Sequence, residues 1–345
     1  MNHLRINHHK SIYAFMIAII LAVGCKPKPS QEVKTAGTIE RIDPSLNSLI
    51  NDDARVEIIA EGYDWSEGPL WVDAQKMLLF SDVPQNRIYK WTEEKGAELY
   101  LEPSGYTGEG PTLSTEPGSN GLILSQDGKL VLCQHGDRRM AVMNTDIASP
   151  SPSFTSLADN FQGNKFNSPN DAVFRSNGDL FFTDPPYGLP KRGNSEDSTK
   201  QIPFQGIYKV TPAGEVTLLV DSITRPNGIA FTPDEKTLII ANSDPKKPIW
   251  YAFDLGENDS VTNARIFYDA TELSKTQKGG PDGFKIDKQG NLFASGPGGI
   301  CIFNSTGKLI GQIKLNERAS NVALADDDKT LFVTNDMYVL RVKMR

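Results

Sequence analysis

The stretch Asn227-Gly-Ile-Ala-Phe231-Thr-Pro-Asp-Glu-Lys-Thr237-Leu-Ile-Ile-Ala241 decides the fold. A polar residue and a glycine lead into a short apolar run, a polar turn follows, and a β-branched strand completes the unit. This order predicts a β-hairpin. The pattern has six copies, and the residues that lead them are Glu67, Asn120, Asn170, Asn227, Asp282 and Asn321.

Successive lead residues lie about 40 to 55 residues apart, a spacing typical of propeller blades built from short antiparallel strands. We therefore predict an all-β fold, a six-bladed β-propeller. A strand around residues 55–60 is expected to pair with the C-terminal strand 338–342 in the last blade, because that pairing removes an exposed sheet edge.

The charge balance argues against nucleic-acid binding. The 345 residues carry a formal charge of −7, and an acidic chain without a Lys/Arg block is a poor candidate for that function.

We expect a monomer. Cys133 and Cys301 lie in apolar, strand-like runs, so buried free thiols are expected, with a disulfide as the alternative.

The N-terminus has the layout of a secretory signal, with basic residues, a short apolar run and small residues before Cys25. Leu21-Ala-Val-Gly-Cys25 resembles a bacterial lipobox, although its leucine stands four residues before the cysteine instead of three. The predicted domains are a lipoprotein signal peptide (1–24), a tether (25–37) and the propeller (38–345). We expect export and a lipid on Cys25 that anchors the protein to a bacterial membrane, at the periplasmic or outer-membrane face. An ordinary signal cleaved nearby is the alternative.

The lead residues themselves predict a cation site. Each precedes the first strand of its sheet, and in a propeller that strand lines the central channel, so six polar side chains converge at one end. Two carboxylates with several amide oxygens suit a hard cation, above all Ca²⁺. The alternative is that Asn-Gly and Asp-Gly only form turns, which does not account for Glu67.

His135 is the one histidine that remains once the signal is removed, which excludes zinc centres that need several histidines. An unshifted histidine pKa lies near neutrality, so His135 is a candidate general base, with a structural role as the alternative. Its offset from Asn120 is close to the offsets of Asp82, Asp184 and Asn242 from their own lead residues. This spacing suggests a second polar layer in the channel.

Several motifs carry a resemblance to a known family. Those that resemble the SMP-30/gluconolactonase/luciferin-regenerating enzyme (regucalcin-like) family are Glu67-Gly-Pro-Leu-Trp71, Ser168-Pro-Asn-Asp171, Arg225-Pro-Asn-Gly228 and Gly280-Pro-Asp-Gly283. Two further stretches resemble its bacterial gluconolactonase branch, Cys133-Gln-His-Gly-Asp-Arg-Arg139 and Thr183-Asp-Pro-Pro-Tyr-Gly-Leu189. The resemblance covers nearly all of residues 55–343 and agrees with the repeat count.

The resemblance implies a metal-dependent hydrolase that opens sugar lactones. It implies one divalent cation at the channel mouth, held by Glu67, Asn227 and Asp282, with Asn170 at the metal or at the substrate. Ca²⁺ is the preferred cation, and Mg²⁺, Mn²⁺ and Zn²⁺ are alternatives. The resemblance assigns the base to Asp282. Because a cation keeps that carboxylate weakly basic, a metal-activated water aligned by Asp282 is the favoured alternative, and His135 is the competing base. A non-catalytic extracytoplasmic binding propeller and a related metal-dependent esterase or phosphotriesterase remain the alternative functions.

Candidate substrate contacts for a small sugar lactone are Asn120, Asn170, Arg138 and Tyr187. Tyr187 belongs to the long insertion 185–204, which follows a channel strand and is predicted to form a rim or lid over the site. Regucalcin-type relatives place an arginine two residues before the asparagine of the third motif, where this chain has Ser168. Arg138 or Arg139 is a candidate replacement for that arginine, with a solvated surface position as the alternative for both.

Overall fold

The computed structural model describes Met1, residues 33–192 and residues 197–345, and its propeller belongs to one compact unit, Val33–Arg345. Apart from Met1, the predicted signal peptide, the lipidation site Cys25 and the first part of the tether lie outside the described residues. The described chain forms six antiparallel sheets arranged as propeller blades. The predicted all-β, six-bladed β-propeller is confirmed.

Each blade is a meander that starts at the central channel and runs outward. From inner to outer, the strands of blades 1, 2 and 3 are Ser66–Val72, Met77–Asp82, Arg87–Thr92 and Gly96–Leu101; Ser119–Leu124, Leu130–Gln134, Arg139–Met143 and Phe154–Ala158; and Ala172–Phe174, Leu180–Asp184, Gly206–Val210 and Val216–Val220. Those of blades 4 and 5 are Pro226–Phe231, Thr237–Asn242, Ile249–Leu255 and Val261–Asp269; and Phe284–Ile286, Leu292–Gly296, Gly299–Phe303 and Leu309–Lys314.

Blade 6 closes the ring with both ends of the domain. Its first three strands are Ala319–Ala325, Thr330–Asn335 and Tyr338–Lys343, and its outer strand is the N-terminal Val56–Glu61. The predicted pairing of the two ends is confirmed. An additional strand, Thr38–Arg41, extends blade 5 along Leu309–Lys314. Within the predicted tether, Thr35 pairs with Glu57 of the outer strand.

The remaining regular segments are short. They are a two-stranded hairpin of Asn160–Phe161 and Asn164–Lys165, 3₁₀ turns at Pro44–Ser48, Asp73–Gln75 and Glu257–Asp259, and one α-helical turn at Thr271–Ser274. None of the helices in the described part of the chain is long and apolar enough to be a candidate membrane span.

The core is divided among the interfaces between blades. The buried apolar side chains of the described residues form six clusters, and each cluster joins two neighbouring blades. Phe332 of blade 6, for example, packs with Phe80 and Trp91 of blade 1, so burial holds the ring closed as well as strand pairing does. Cys133 and Cys301 are buried free thiols, as predicted.

Candidate metal centre and active site

The glycine that follows a lead residue lets neighbouring inner strands approach closely. A Cβ atom on Gly68 would stand 2.0 Å from the carbonyl oxygen of Asn120 in blade 2, and one on Gly228 would stand 2.5 Å from that of Asp282 in blade 5. Contacts this short exclude a side chain. At these positions the repeated glycine is therefore required by the packing around the channel, beyond any role in a turn.

The six lead residues lie at the same end of successive inner strands. Five of them are at most 4% exposed, namely Glu67, Asn120, Asn170, Asn227 and Asn321. Asp282 is half-buried. Backbone hydrogen bonds join neighbouring blades at this level, because Gly121 N donates to Asn170 O at 2.7 Å and Gly283 N donates to Ser320 O at 2.7 Å.

Glu67 and Asp282 form a close pair of carboxylates from blades 1 and 5. Burial raises the pKa of both side chains, and the charge of Glu67 raises the pKa of Asp282 further. Glu67 Oε2 accepts the backbone N–H of Gly68 at 3.0 Å, whereas Asp282 Oδ1 is buried without a hydrogen-bond partner in the described residues. Two buried like charges are unfavourable unless a proton or a cation compensates them.

A third buried carboxylate in the channel, Asp171, has its own partners. Lys285 Nζ lies 3.8 Å from Asp171 Oδ2, and Asn321 Nδ2 donates to the same oxygen at 3.3 Å. The backbone N–H of Ala172 donates to Asp171 Oδ1 at 2.9 Å. Asp171 and Asn321 are thus engaged in a cross-channel contact, which leaves Glu67, Asn120, Asn170, Asn227 and Asp282 as the lead side chains outside that contact.

The remaining donor set fits a hard divalent cation. In residues 33–192 and 197–345, no group of three or more His, Cys, Asp and Glu side chains is arranged to hold a metal ion. The predicted set differs in kind, since it combines two carboxylates with amide oxygens. The orphaned oxygens Asp282 Oδ1 and Asn120 Oδ1 are buried acceptors without a donor in the described residues, which is the condition that a bound cation satisfies.

His135 is fully buried beneath the insertion 185–204. A Cβ atom on Gly188 would stand 2.6 Å from His135 Cβ, and neither imidazole nitrogen has a hydrogen-bond partner in the described residues. Burial lowers the pKa of His135 to about 3. A neutral imidazole with so low a pKa is a weak base.

The second polar layer expected in the channel has a structural role. Asp184 accepts the backbone N–H groups of Asn167 and Ser168 at 2.7 Å each, and Asn242 Oδ1 accepts that of Arg225 at 2.9 Å. These side chains hold the segments that lead into the inner strands of their own blades. Strand register makes Gln134, rather than His135, the blade 2 equivalent of Asn242.

Of the predicted substrate contacts on the rim, Tyr187 reaches the carboxylate pair and Arg138 does not. Burial raises the pKa of Tyr187 to about 12, and the nearby charge of Asp282 adds to the shift. All three guanidinium nitrogens of Arg138 donate to backbone carbonyls, of Phe166 at 2.6 Å, Thr199 at 2.8 Å and Lys165 at 3.4 Å. Arg138 therefore joins residues 165–166 to Thr199 of the insertion 185–204, and its role as a substrate contact stays a prediction.

Comparison with known proteins identifies the family of this chain. A model described as the SMP-30/gluconolactonase/LRE-like region matches residues 65–336, which include all six lead residues. The chain belongs to this family. The membership predicted from the motifs is confirmed.

Similar proteins include lactone hydrolases. The gluconolactonase of Zymomonas mobilis is 37% identical over 323 residues, which are 92% of this chain and 89% of that protein. A solved gluconolactonase from Xanthomonas campestris is 28% identical, with a TM-score of 0.78 over 93% of this chain and 100% of its own. Regucalcin from Agrobacterium tumefaciens, described as a calcium-binding protein, is 19% identical, with a TM-score of 0.63 over 84% of this chain and 94% of its own. It agrees in fold.

In this family member, Arg225 is a site residue that the sequence reasoning missed. Its guanidinium carbon lies 5.7 Å from the centre of the Tyr187 ring. A signal was present, because Arg225 stands two residues before Asn227, as the regucalcin-type arginine stands before the asparagine of the third motif.

Glu116 and Arg192 are further residues that were not singled out. They form an ion pair between two rim loops, and the charge of Glu116 contributes to the raised pKa of both Glu67 and Asp282. The pair therefore belongs to the electrostatic surroundings of the carboxylates. Arg192 lies within the predicted rim segment 185–204.

Proposed function

We propose that this protein is a metal-dependent hydrolase that opens sugar lactones in the manner of a gluconolactonase. The observation that carries the proposal is the Glu67–Asp282 pair, two carboxylates brought together at one end of the channel without a cationic side chain to pair with them in the described residues. A structural propeller has no need of such an unfavourable pair. The gluconolactonase relatives support the reaction class.

The cation would be held by Glu67, Asn170, Asn227 and Asp282. An all-oxygen set with two carboxylates favours Ca²⁺, with Mg²⁺, Mn²⁺ and Zn²⁺ as alternatives to be tested. Bound at such a site, a divalent cation polarises an ester carbonyl and offsets the charge that develops on its oxygen.

The residues of the chain supply orientation and proton transfer. We assign the general base to Asp282: one oxygen of its carboxylate would hold the cation, and the other would align the attacking water and accept its proton. His135 is the weaker alternative, since burial lowers the pKa of its imidazole to about 3. Asn120 and Tyr187 would contact the lactone from the inner and the rim side of the mouth.

The test is hydrolysis of glucono-1,5-lactone by the mature protein, measured as acid release above the spontaneous rate. We expect turnover that EDTA removes and that added Ca²⁺ restores. Cation binding without turnover of any ester would instead indicate a non-catalytic binding module. Turnover of a phosphotriester or an aryl ester in place of lactones would indicate the related hydrolase.

We also propose that residues 1–24 direct export and that a lipid on Cys25 anchors the protein to a bacterial membrane, at the periplasmic or outer-membrane face. The proposal rests on the sequence of the N-terminus. Cys25→Ser should move the protein from the membrane fraction to the soluble exported fraction. Membrane retention of this variant would contradict lipidation at that residue.

A further inference from the structure

Arg225 places a guanidinium beside Tyr187, and its charge acts on the nearby carboxylate of Asp244 without an ion pair between them in the described residues. The guanidinium lies over the ring of Tyr187 at 5.7 Å from the ring centre, and among the described residues no Asp or Glu forms an ion pair with it. Elsewhere on blade 4, Arg265 is paired with Asp254 at 2.5 Å. A half-buried guanidinium that stacks on an aromatic ring keeps its N–H donors available in the plane.

The backbone of Arg225 is fixed from both sides. Its N–H donates to Asn242 Oδ1 at 2.9 Å, and its carbonyl accepts the N–H of Ser243 at 2.9 Å. The next residue is the buried Pro226, whose ring restricts the backbone further. The guanidinium therefore projects from a rigid support, as a recognition group requires.

The same support connects Arg225 to the carboxylate that we assign as the base. Ser243 Oγ donates to the carbonyl of Pro281 at 2.5 Å, next to Asp282. Two residues after Arg225, Asn227 carries one of the proposed cation ligands. The guanidinium, the Tyr187 ring and Asp282 thus meet at one side of the mouth.

We propose that Arg225, held against Tyr187, binds hydroxyl oxygens of the lactone and so makes the enzyme selective for hydroxylated sugar lactones over unsubstituted ones. This inference rests on the function proposed above. A guanidinium only donates hydrogen bonds, and hydroxyl groups on adjacent ring carbons offer acceptors to its planar fork. An unsubstituted lactone offers none, so it gains nothing from Arg225.

The experiment compares glucono-1,5-lactone with δ-valerolactone, which has the same six-membered ring without hydroxyl groups. Arg225→Met retains side-chain length and removes the donors. We expect kcat/KM for gluconolactone to fall roughly 10- to 100-fold, mainly through KM, the loss expected for charged hydrogen bonds. For δ-valerolactone we expect less than about a twofold change.

Three further variants test the contribution of the Tyr187 ring and the specificity of the Arg225 effect. Tyr187→Leu removes the stacking surface and should lower kcat/KM for gluconolactone about two- to fivefold, whereas Tyr187→Phe retains the ring and should do less. Arg265→Met is the matched control, an arginine of the same blade whose partner is Asp254. Arg265→Met should leave kcat/KM for both lactones unchanged. Thermal unfolding checks that each variant folds.

Three results would overturn the inference: equal losses on both lactones with Arg225→Met, no loss on either, or a wild-type enzyme that prefers δ-valerolactone. If the wild-type protein hydrolyses no lactone, the proposed function fails, and the inference is decided by calorimetric binding of D-glucitol, a neutral polyol without a carboxylate. Binding that weakens at least about tenfold in Arg225→Met supports hydroxyl recognition. Binding that is unaffected, or absent in the wild type, refutes it.

Discussion

The channel contains two sites where carboxylates are taken out of water, and the protein treats them differently. Asp171 receives Lys285 and Asn321. Glu67 and Asp282 lie beside each other with no cationic partner in the described residues. Both sites lie at the start of inner strands, so the fold buries the carboxylates at each of them. Groups of the protein compensate the negative charge only at the Asp171 site.

This difference distinguishes a structural site from a functional site among neighbouring residues of the channel. A buried ion pair, once formed, is costly to break but needs nothing from outside the chain. A buried pair of like charges is stable only with a proton or a cation from solution. The first site should therefore respond to mutation through stability, and the second through activity, pH and added metal.

The largest expected effect is at the uncompensated pair. Asp282→Asn retains size and removes one charge, so kcat/KM for the lactone should fall about 1,000-fold or more. Because the variant also relieves like-charge repulsion, its free energy of unfolding in EDTA should equal or exceed that of the wild type. Stopped-flow or pH-stat rates and urea titration measure the two quantities. Retained activity would remove Asp282 from the mechanism.

At the compensated site the loss should appear in stability. Lys285→Met leaves Asp171 buried without its cation and should lower the free energy of unfolding by about 3 kcal/mol, the low end for a buried pair because Lys285 is 29% exposed. Urea midpoints measure this loss. Adding Asp171→Asn should recover most of it. A loss no larger than that of the exposed Lys34→Met would show that the channel contact contributes little.

The third effect is a pH dependence of the metal-free protein. The pKa of Glu67 is raised in the folded state. The stabilisation that comes from a proton on Glu67 is therefore complete below about pH 4.3, the ordinary pKa of a glutamate side chain. It is lost as pH rises through the raised pKa. In EDTA the wild type should lose roughly 1–3 kcal/mol of stability over this rise.

Glu67→Gln should show a smaller loss over the same pH range, and saturating Ca²⁺ should flatten the wild-type curve. Calorimetry across the pH series provides the measurement. A wild-type slope that matches the Gln variant in EDTA would contradict the raised pKa.

The smallest effect concerns the rim. The charge of Glu116 acts on both carboxylates of the pair and is itself paired with Arg192. Glu116→Gln should weaken Ca²⁺ binding about two- to threefold, and Arg192→Met should strengthen it by a similar factor. Isothermal titration resolves such changes. Shifts of the same sign in both variants would indicate a loop rearrangement instead of a field effect.

The parts of the fold that repeat could be predicted from the sequence, because each copy carries the same alternation and four of the six carry the same glycine. The strand Thr38–Arg41 could not. It is a short, half-exposed edge strand, and nothing in four such residues indicates which blade they join.

Prediction of the site failed where distant segments decide the environment. The offset of His135 was misjudged because the first hairpin of blade 2 is one residue shorter than that of blade 4, so Ser119 pairs with Gln134 where Pro226 pairs with Asn242. Arg138 is a predicted substrate contact, and its guanidinium donates to the carbonyls of Lys165, Phe166 and Thr199, contacts that sequence spacing does not reveal. Arg225 contacts Tyr187 only in the folded protein, and sequence spacing alone does not reveal that these two residues lie near each other.

The closure of blade 6 has a consequence for how the chain folds. Glu57 and Arg341, which form an ion pair across the closing strands, are separated by 284 residues in sequence. Contacts of such long range form late and slowly, because the intervening chain must be ordered before they can be made. Until then the edge of Val56–Glu61 is open to pairing with other chains. A protein of this design should therefore depend on chaperones most strongly in the interval before its two ends meet.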